Sequence, residues 1–266
     1  MKKILLCKPD YFEIEYEINP WMHKENKVKA KLAQTQHKQL RDLYTRLGAK
    51  LYDIKAEAGL PDMVYTANFG FVLDKKFIKT NFKYKQRRRE ADSAAAYFEE
   101  EFGLKTLTLP ESIFYEGEGD HLRVGERYFM GFGKRSDKAA QPYLQKFLEA
   151  EVVPLELVNP YFYHLDTALG PLNNGTAIIN QDSFTEAGLA TLKQYFKDPI
   201  FINEEDKKVM APNLMVIGQN VIIGKGISAN LKQELTSRNF TVNEVDMSEF
   251  LKGGGSIKCL SLQLWF

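Results

Sequence analysis

The chain has 266 residues, of which 44% are hydrophobic and 27% are charged, and its formal net charge is +1. This length can bury one large core or two smaller ones, and a charge near zero gives no electrostatic basis for binding nucleic acid or an acidic membrane surface. Two cysteines are too few for a disulfide framework, four histidines show no metal-ligand spacing, and no apolar run approaches a membrane span, so we expect a cytoplasmic protein without nucleic-acid, membrane or metal partners.

The beginning of the chain predicts a strand, a helix and a second strand. The apolar run KKILLCKP lacks the long apolar region and cleavage site of a signal peptide, so we interpret it as a strand. The helix is predicted over 31–48 and the second strand over 49–54. The segment 15–31 between the first strand and the helix is a candidate lid.

The rest of the chain repeats one plan four times: a hairpin, a helix and a closing strand. Asn173-Asn174-Gly175 is a strong hairpin turn signal. The four predicted units are hairpin 66–82 with helix 89–103 and strand 105–109, hairpin 119–133 with helix 137–151 and strand 152–157, hairpin 165–180 with helix 183–196 and strand 199–203, and hairpin 212–226 with helix 227–239 and strand 241–247.

A fifth copy is split between the two ends of the chain. GSIKCLSLQLWF supplies one strand, predicted to carry Cys259, and the N-terminal elements supply the remainder. The residues near the five openings recur at gaps of 52, 46, 47 and 46 residues. A period near ~50 residues, closed by the N-terminus, predicts a single 1–266 domain folded as a five-module α/β propeller. An open α/β sheet is the alternative. The period-defining residues are Asn68, Asp120, Asp166, Asn213 and Cys259.

A ring of modules brings equivalent positions together on its central axis. We therefore expect Asn68, the 116–120 acidic cluster, His164 with Asp166, and Cys259 to face one another. Asp166 follows His164 by two residues, which places both on the same face of a predicted strand. A thiol, a base and several carboxylates around one pocket favour covalent catalysis.

Five motifs occur along the chain: INPWM, PDMVYTANFG, EGEGD, FYHLDT and GGGSIKCLSL. In this order and spacing the chain resembles the guanidine-modifying hydrolases and amidinotransferases of the pentein fold. These include arginine deiminase, dimethylarginine dimethylaminohydrolase, glycine amidinotransferase and arginine dihydrolase. INPWM together with TAN is most similar to the arginine dihydrolase branch.

The resemblance implies catalytic roles for four residues. Cys259 matches the nucleophile, His164 the general acid–base, and Asp166 a carboxylate beside that histidine. Glu116 matches the acidic residue before the family's GD turn, although the extra residue in EGEGD makes Glu118 its rival.

The resemblance also implies substrate contacts. Arg87 matches an arginine that binds the substrate carboxylate, with the two arginines that follow it as alternatives. Asn68 stands where several relatives have an aspartate that binds the guanidinium, and Glu118 and Asp120 are further acidic candidates. Asn19 and Trp21 are expected to line the amino-acid end of the pocket.

The function expected from this resemblance is hydrolysis of a guanidino substrate, most simply L-arginine, through a covalent thiouronium intermediate and without a metal or organic cofactor. A dihydrolase would yield ornithine, ammonia and carbon dioxide. The alternatives are a deiminase, a dimethylargininase, an amidinotransferase and a non-catalytic binding module of the same fold. The sequence leaves the oligomeric state open, including a homo-oligomer.

Overall fold

Fifteen short strands form four sheets in the computed structural model, which describes residues 1–266. The strands are β1 (Lys3–Cys7), β2 (Lys50–Ile54), β3 (Gly70–Leu73), β4 (Lys76–Lys79), β5 (Lys105–Leu107), β6 (His121–Val124), β7 (Arg127–Phe132), β8 (Val152–Glu156), β9 (Leu169–Pro171), β10 (Thr176–Ile179), β11 (Asp198–Phe201), β12 (Met215–Ile217), β13 (Asn220–Gly224), β14 (Thr241–Val245) and β15 (Leu262–Trp265).

Helices connect the strands, and the four longest follow positions that the sequence predicted. The helices are α1 (Ala30–Arg46), α2 (Arg88–Phe102), α3 (Gly117–Asp120), α4 (Gln141–Leu148), α5 (Leu165–Ala168), α6 (Glu186–Tyr195), α7 (Glu204–Lys208), α8 (Ala229–Ser237) and α9 (Ser248–Leu251). Local chemistry sets several of their ends. Thr185 and Ser228 accept hydrogen bonds from the first turns of α6 and α8, and Gly103 ends α2 in the left-handed conformation.

One strand triplet recurs through the four sheets. Each triplet begins with two antiparallel strands, which form a hairpin in all but the fifth, and continues with a helix and a third strand that pairs in parallel with the second. Three triplets are separate sheets, and two join into one six-stranded sheet. The triplets are β3-β4-β5, β6-β7-β8, β9-β10-β11, β12-β13-β14 and β15-β1-β2.

The two ends of the chain build the fifth triplet together. Strand β15 pairs antiparallel with β1, and Leu5 lies opposite Leu262. Strand β15 also pairs in parallel with β3, where Leu264 lies opposite Val72. The predicted completion of the last unit by the N-terminus is therefore confirmed, as are the four predicted hairpins.

Five apolar clusters form the core, and each joins two neighbouring triplets. Phe71 and Met130 belong to the cluster between the first and second triplets, and Ile178 and Val221 to the cluster between the third and fourth. The other three clusters join the second triplet to the third, the fourth to the fifth, and the fifth to the first. The fold is thus a mixed α/β fold whose core passes from triplet to triplet.

The position predicted for Cys259 on the last strand is wrong. Cys259 lies in the turn 257–260, and β15 begins at Leu262. The N–H of Leu260 donates to the carbonyl of Ser256 at 3.2 Å, and the N–H of Ser261 donates to that of Lys258 at 2.9 Å. These local bonds use the donors that a strand ladder would need.

None of the helices combines the length and the apolar character needed to cross a membrane.

Candidate active site

Five short turns lie immediately before the first strands of the five triplets. Each contains one of the residues that the repeat period singled out, and all five side chains are buried. The turns are Thr66–Phe69 with Asn68, Gly117–Asp120 with Asp120, Leu165–Ala168 with Asp166, 209–213 with Asn213, and 257–260 with Cys259.

Hydrogen bonds join these turns to one another. Asn213 contacts both Cys259 and Asp166, and the carboxylate of Asp120 accepts a bond from the N–H of Leu165 at 3.0 Å. The sequence predicted that Asn68, Asp120, Asp166 and Cys259 face one pocket, and the contacts between their turns place them, with Asn213, in one buried cluster.

Cys259 is a buried thiol with two polar side-chain partners. Its Sγ lies 3.3 Å from Asp166 Oδ2 and 3.1 Å from Asn213 Nδ2. Burial raises the pKa of the thiol well above its ordinary value, and the Asp166 carboxylate raises it further. Without a bound cation the sulfur therefore keeps its proton and donates it to Asp166.

The three glycines before Cys259 are required by close packing. A Cβ atom on Gly253 would lie 2.1 Å from the hydroxyl oxygen of Tyr65, and one on Gly255 would lie 2.5 Å from Cε1 of the same ring. Gly254 has a φ of +83°, which disfavours other residues, and a Cβ there would lie 2.7 Å from Asn19 Oδ1. The glycine run lets the backbone pass between the tyrosine and the N-terminal segment on its way to Cys259.

His164 is paired with Glu116 and not with Asp166, so the predicted partner is wrong. His164 Nε2 lies 2.7 Å from Glu116 Oε2, whereas Asp166 lies in the turn of α5 and contacts the thiol. The two residues do not share a strand face, because the chain turns into α5 directly after His164.

Glu116 is the carboxylate at this site that stays ionised. Burial alone would raise its pKa, but the guanidinium of Arg135 at 3.0 Å and the imidazole of His164 hold its pKa at about 2. Sequence reasoning did not assign Arg135, since nothing in KRSD distinguishes it from a solvated arginine. Arg135 lies between the rings of Tyr84 and Tyr163.

Glu118 faces away from the nucleophile, which corrects its predicted role beside Cys259 or the substrate. Its carboxylate accepts from Lys258 Nζ at 2.7 Å, from the N–H of Gln263 and from the indole of Trp265. A cavity of about 270 Å³ is lined by Glu118, Lys258 and Trp265 but not by Cys259. Of the two rival glutamates, only Glu116 contacts His164.

Asp120 binds protein donors on Leu165 and Ser136, so its predicted role as a substrate contact is corrected. One oxygen accepts from the N–H of Leu165, and the other accepts from the N–H and hydroxyl of Ser136 at 3.2 and 2.6 Å. Burial raises the pKa of Asp120 to about 6. Both of its oxygens are occupied by protein donors.

Arg87 is buried and paired inside the protein, and its predicted contact with a substrate carboxylate stays a prediction. Its Nε and Nη2 donate to Glu90 at 2.8–3.1 Å, and its Nη1 donates to Asn68 Oδ1 at 2.9 Å. The arginine therefore orients the Asn68 amide. Asn68 Nδ2 has no hydrogen-bond partner.

Four buried polar atoms of this region lack a partner: Asp62 Oδ1, Asp166 Oδ1, Asn68 Nδ2 and Ser256 Oγ. Buried polar atoms are almost always hydrogen-bonded, so such a group indicates a bound ligand or water. Asp62 carried no prediction, although it stands in the PDMVYTANFG motif, and its other oxygen accepts from the hydroxyl of Tyr16 at 2.9 Å. The two free carboxylate oxygens and the free amide nitrogen suit a planar, nitrogen-rich group.

The N-terminal segment covers the site. Asn19 Nδ2 donates to the carbonyl of Gly253 at 3.0 Å, and the indole of Trp21 donates to the carbonyl of Tyr161 at 2.8 Å. Asn19 and Trp21 thus fasten the segment to Gly253 and Tyr161, and their place at the amino-acid end of the pocket stays a prediction. Cys259 is 2% exposed, and the segment stays a candidate lid.

Comparison with known proteins assigns the family. A family model described as N,N dimethylarginine dimethylhydrolase, eukaryotic, matches residues 8–265. An N(G),N(G)-dimethylarginine dimethylaminohydrolase of Mycobacterium tuberculosis is 36% identical over 266 residues, which cover 99% of this chain and 86% of that protein. The chain belongs to the dimethylarginine dimethylaminohydrolase family.

Arginine dihydrolases are also similar to this chain. The bifunctional arginine dihydrolase/ornithine cyclodeaminase ArgZ of Synechocystis is 35% identical over 98% of this chain, and the chain spans 37% of that longer protein. The structure of the N-terminal domain of ArgZ, a cysteine-to-serine variant bound to substrate, superposes with a TM-score of 0.95 at 33% identity and covers 100% of this chain and 98% of that one. A dimethylarginine dimethylaminohydrolase adduct with 4-chloro-2-hydroxymethylpyridine shares the fold, with a TM-score of 0.81 at 19% identity and 99% of both chains covered. The chain is therefore a pentein-fold hydrolase that acts on guanidino or amidino groups.

Proposed function

We propose that the protein is an arginine dihydrolase, which converts L-arginine and two molecules of water to ornithine, two ammonia and carbon dioxide. The observation that carries this choice is the orientation of the Asn68 amide. Cys259 is the proposed nucleophile, His164 the general acid–base, and Glu116 the carboxylate that holds His164. Asp62, Asp166 and Asn68 are the proposed ligands of the reacting group.

The Asn68 amide has one orientation that its neighbours allow. Arg87 Nη1 is a donor and lies 2.9 Å from Oδ1, so the reverse orientation would oppose two donors. The free Nδ2 therefore presents a donor to the site. Gly119 makes room for it, because a Cβ at that position would lie 2.3 Å from Asn68 Nδ2 and 3.1 Å from His164 Nδ1.

A donor at this position suits the intermediate of the reaction better than its substrate. Arginine's guanidinium has only N–H groups, which Asp62 Oδ1 and Asp166 Oδ1 can accept. Citrulline's ureido group has a carbonyl oxygen, and this oxygen needs a donor such as Asn68 Nδ2. A site that retains citrulline can hydrolyse it again, whereas an aspartate at this position would oppose the carbonyl with a second acceptor.

The first hydrolysis begins when the guanidinium cation lies between the carboxylates and the thiol. The cation stabilises negative charge on sulfur, the thiol proton passes to Asp166, and Sγ bonds to the guanidinium carbon. His164 protonates a terminal nitrogen, the carbon–nitrogen bond breaks, and ammonia leaves. The product on Cys259 is a thiouronium.

Water completes each round. His164 takes a proton from water, the oxygen adds to the carbon, and the carbon–sulfur bond breaks to give citrulline and the regenerated thiol. A second round on the ureido carbon releases another ammonia and leaves a thiocarbamate on Cys259. Water then releases a carbamate, which separates into ornithine and carbon dioxide.

Two solved forms of ArgZ support this assignment of residue types. The cysteine-to-serine variant of its N-terminal domain is bound to substrate, and an asparagine-to-serine variant is covalently bonded to a reaction intermediate. Cysteine and asparagine are the residue types at positions 259 and 68 of this chain. The second candidate function is hydrolysis of dimethylarginine, which the family match over residues 8–265 favours.

The test is the product ratio of the purified chain with a panel of substrates. We expect two ammonia per arginine consumed, with ornithine and without accumulating citrulline. One ammonia with citrulline would indicate a deiminase, and dimethylamine from dimethylarginine a dimethylargininase. Transfer to glycine would indicate an amidinotransferase. No turnover of any guanidine would favour a non-catalytic binding module.

We further propose that the chain forms one domain, 1–266, arranged as a closed ring of five modules. Support comes from the five strand triplets and from the core clusters, which join each triplet to the next and the fifth to the first. Both cysteines are free thiols, which supports a reducing cytoplasm as the location. A small guanidino compound is the proposed partner.

A further inference from the structure

Asn213 joins the turn that carries Cys259 to the turn that carries Asp166. Its Oδ1 accepts from the N–H groups of Ser256 and Cys259 at 3.2 and 3.1 Å. Its Nδ2 donates to the Asp166 carbonyl and to Cys259 Sγ, both at 3.1 Å. We propose that Asn213 is a positioning residue, which holds Cys259 Sγ for attack and donates the hydrogen bond that stabilises its thiolate. The proposal rests on the proposed function of Cys259.

The four bonds leave Asn213 no alternative orientation. An amide has two donors and an oxygen with two lone pairs, and here all are used. Exchanging oxygen and nitrogen would place a donor against the N–H groups of Ser256 and Cys259. The backbone of the nucleophile's own turn therefore fixes which end of the amide meets its sulfur.

The groups around the sulfur make Asn213 Nδ2 important for stabilising the Cys259 thiolate. The side-chain groups bonded to Sγ are Asn213 and Asp166, and an ionised Asp166 accepts a hydrogen bond from the thiol but repels the thiolate. The charge of Lys258 lowers the pKa of Asp166, and Tyr65 and Tyr163 are the other titratable groups near the sulfur.

The pKa of Cys259 therefore depends on the Asn213 amide. Burial and Asp166 raise the pKa of Cys259, whereas the backbone of Ser256 and the Asn213 amide lower it. Once sulfur has lost its proton, the Asn213 amide donates to it whether or not Asp166 carries that proton. Asn213 was already marked by the repeat period, but its residue type alone gave no reason to assign it to the thiol.

The test measures Cys259 directly, without relying on turnover. Iodoacetamide reacts with the thiolate, so its rate at Cys259, followed by peptide mass spectrometry from pH 6 to 10, reports thiolate formation. The variants are Asn213→Ala and the isosteric Asn213→Asp, which keeps an oxygen for the backbone N–H groups. Cys7 is the internal control, and Asn203→Asp, at the exposed cap of α7, is the control for the added charge.

In both variants we expect the Cys259 alkylation profile to move to higher pH. The rate below its midpoint should fall about 10- to 100-fold, which is the worth of one hydrogen bond to a charged group. The Cys7 profile and that of Asn203→Asp should stay unchanged, and kcat should fall while KM stays within about twofold.

An unchanged Cys259 profile in a folded variant would overturn the proposal. If circular dichroism shows Asn213→Ala unfolded, the Asn213→Asp profile decides in the same way. Absence of guanidine turnover by the unmodified chain would overturn the proposed function, while the alkylation profiles would still decide the role of Asn213.

Discussion

Replacing Asn68 by aspartate should separate the two hydrolyses. One carboxylate oxygen can keep the bond to Arg87, so the variant should fold. The other oxygen replaces the free Nδ2 and meets the ureido carbonyl oxygen of citrulline. Losing one donor and opposing two acceptors in a buried site costs about 1–3 kcal/mol, which corresponds to a ~5- to 150-fold slower second hydrolysis. The first hydrolysis, on a cation, gains a favourable charge and should continue.

The assay counts ammonia and citrulline per arginine consumed. For Asn68→Asp we expect the ammonia ratio to fall from two towards one while citrulline accumulates. Asn174→Asp makes the same change on the exposed hairpin turn between β9 and β10 and should retain a ratio of two. If Asn68→Asp still releases two ammonia without citrulline, the reasoning from the amide orientation is refuted.

Three further predictions concern the surrounding site. Glu116→Gln removes one member of a buried ion pair, so the free energy of unfolding should fall by ~3–5 kcal/mol, and kcat should fall with it. In the exposed control Glu126→Gln the free energy of unfolding should fall by less than ~1 kcal/mol. Equal losses of the two variants in urea titrations would contradict this prediction. Burial raises the pKa of Asp166 to about 7, so the carboxylate that binds the cation becomes protonated as pH falls through 7, and kcat/KM for arginine should fall with it. Asp166→Asn should abolish this fall of kcat/KM below pH 7. A wild-type pH profile in that variant would contradict the assignment. Gly254→Ala should lower the urea midpoint more than Gly218→Ala does. Both glycines have a positive φ, but only at Gly254 would the added methyl group have an atom within 4 Å. An equal fall of the urea midpoint in the two variants would contradict the close packing.

The repeat and its hairpins could be predicted because their signals are local. Turn residues such as Asn173 and Asp74 lie between short apolar runs, and the spacing of similar units is visible in one sequence. The pairing of β15 with β1 followed from counting, since the last unit lacked strands that the first residues supply.

The site could be predicted as a set of residues but not as a set of contacts. Asp166 follows His164 in sequence, yet it contacts Cys259, because the turn of α5 carries its side chain away from the imidazole. Arg87 and Glu118 carry charges suited to a substrate, but burial gives each a partner within the protein. These partners come from distant parts of the chain, and no local pattern encodes them.

The residues that could not be assigned from the sequence orient other side chains or the substrate through hydrogen bonds. Asn213 and Arg135 belong to residue types that are mostly exposed, and only their burial and hydrogen bonds distinguish them. Asp62 became a candidate because one of its oxygens is buried without a partner.

The central claim is that Cys259 attacks the carbon of a guanidino group. Intact-protein and peptide mass spectrometry after rapid mixing with arginine and acid quenching tests it most directly. We predict an adduct of the amidino-ornithine group on the peptide that contains Cys259, absent from Cys259→Ala and unaffected by replacing Cys7 with serine. Turnover of arginine by Cys259→Ala, or an adduct on another residue, would contradict the account.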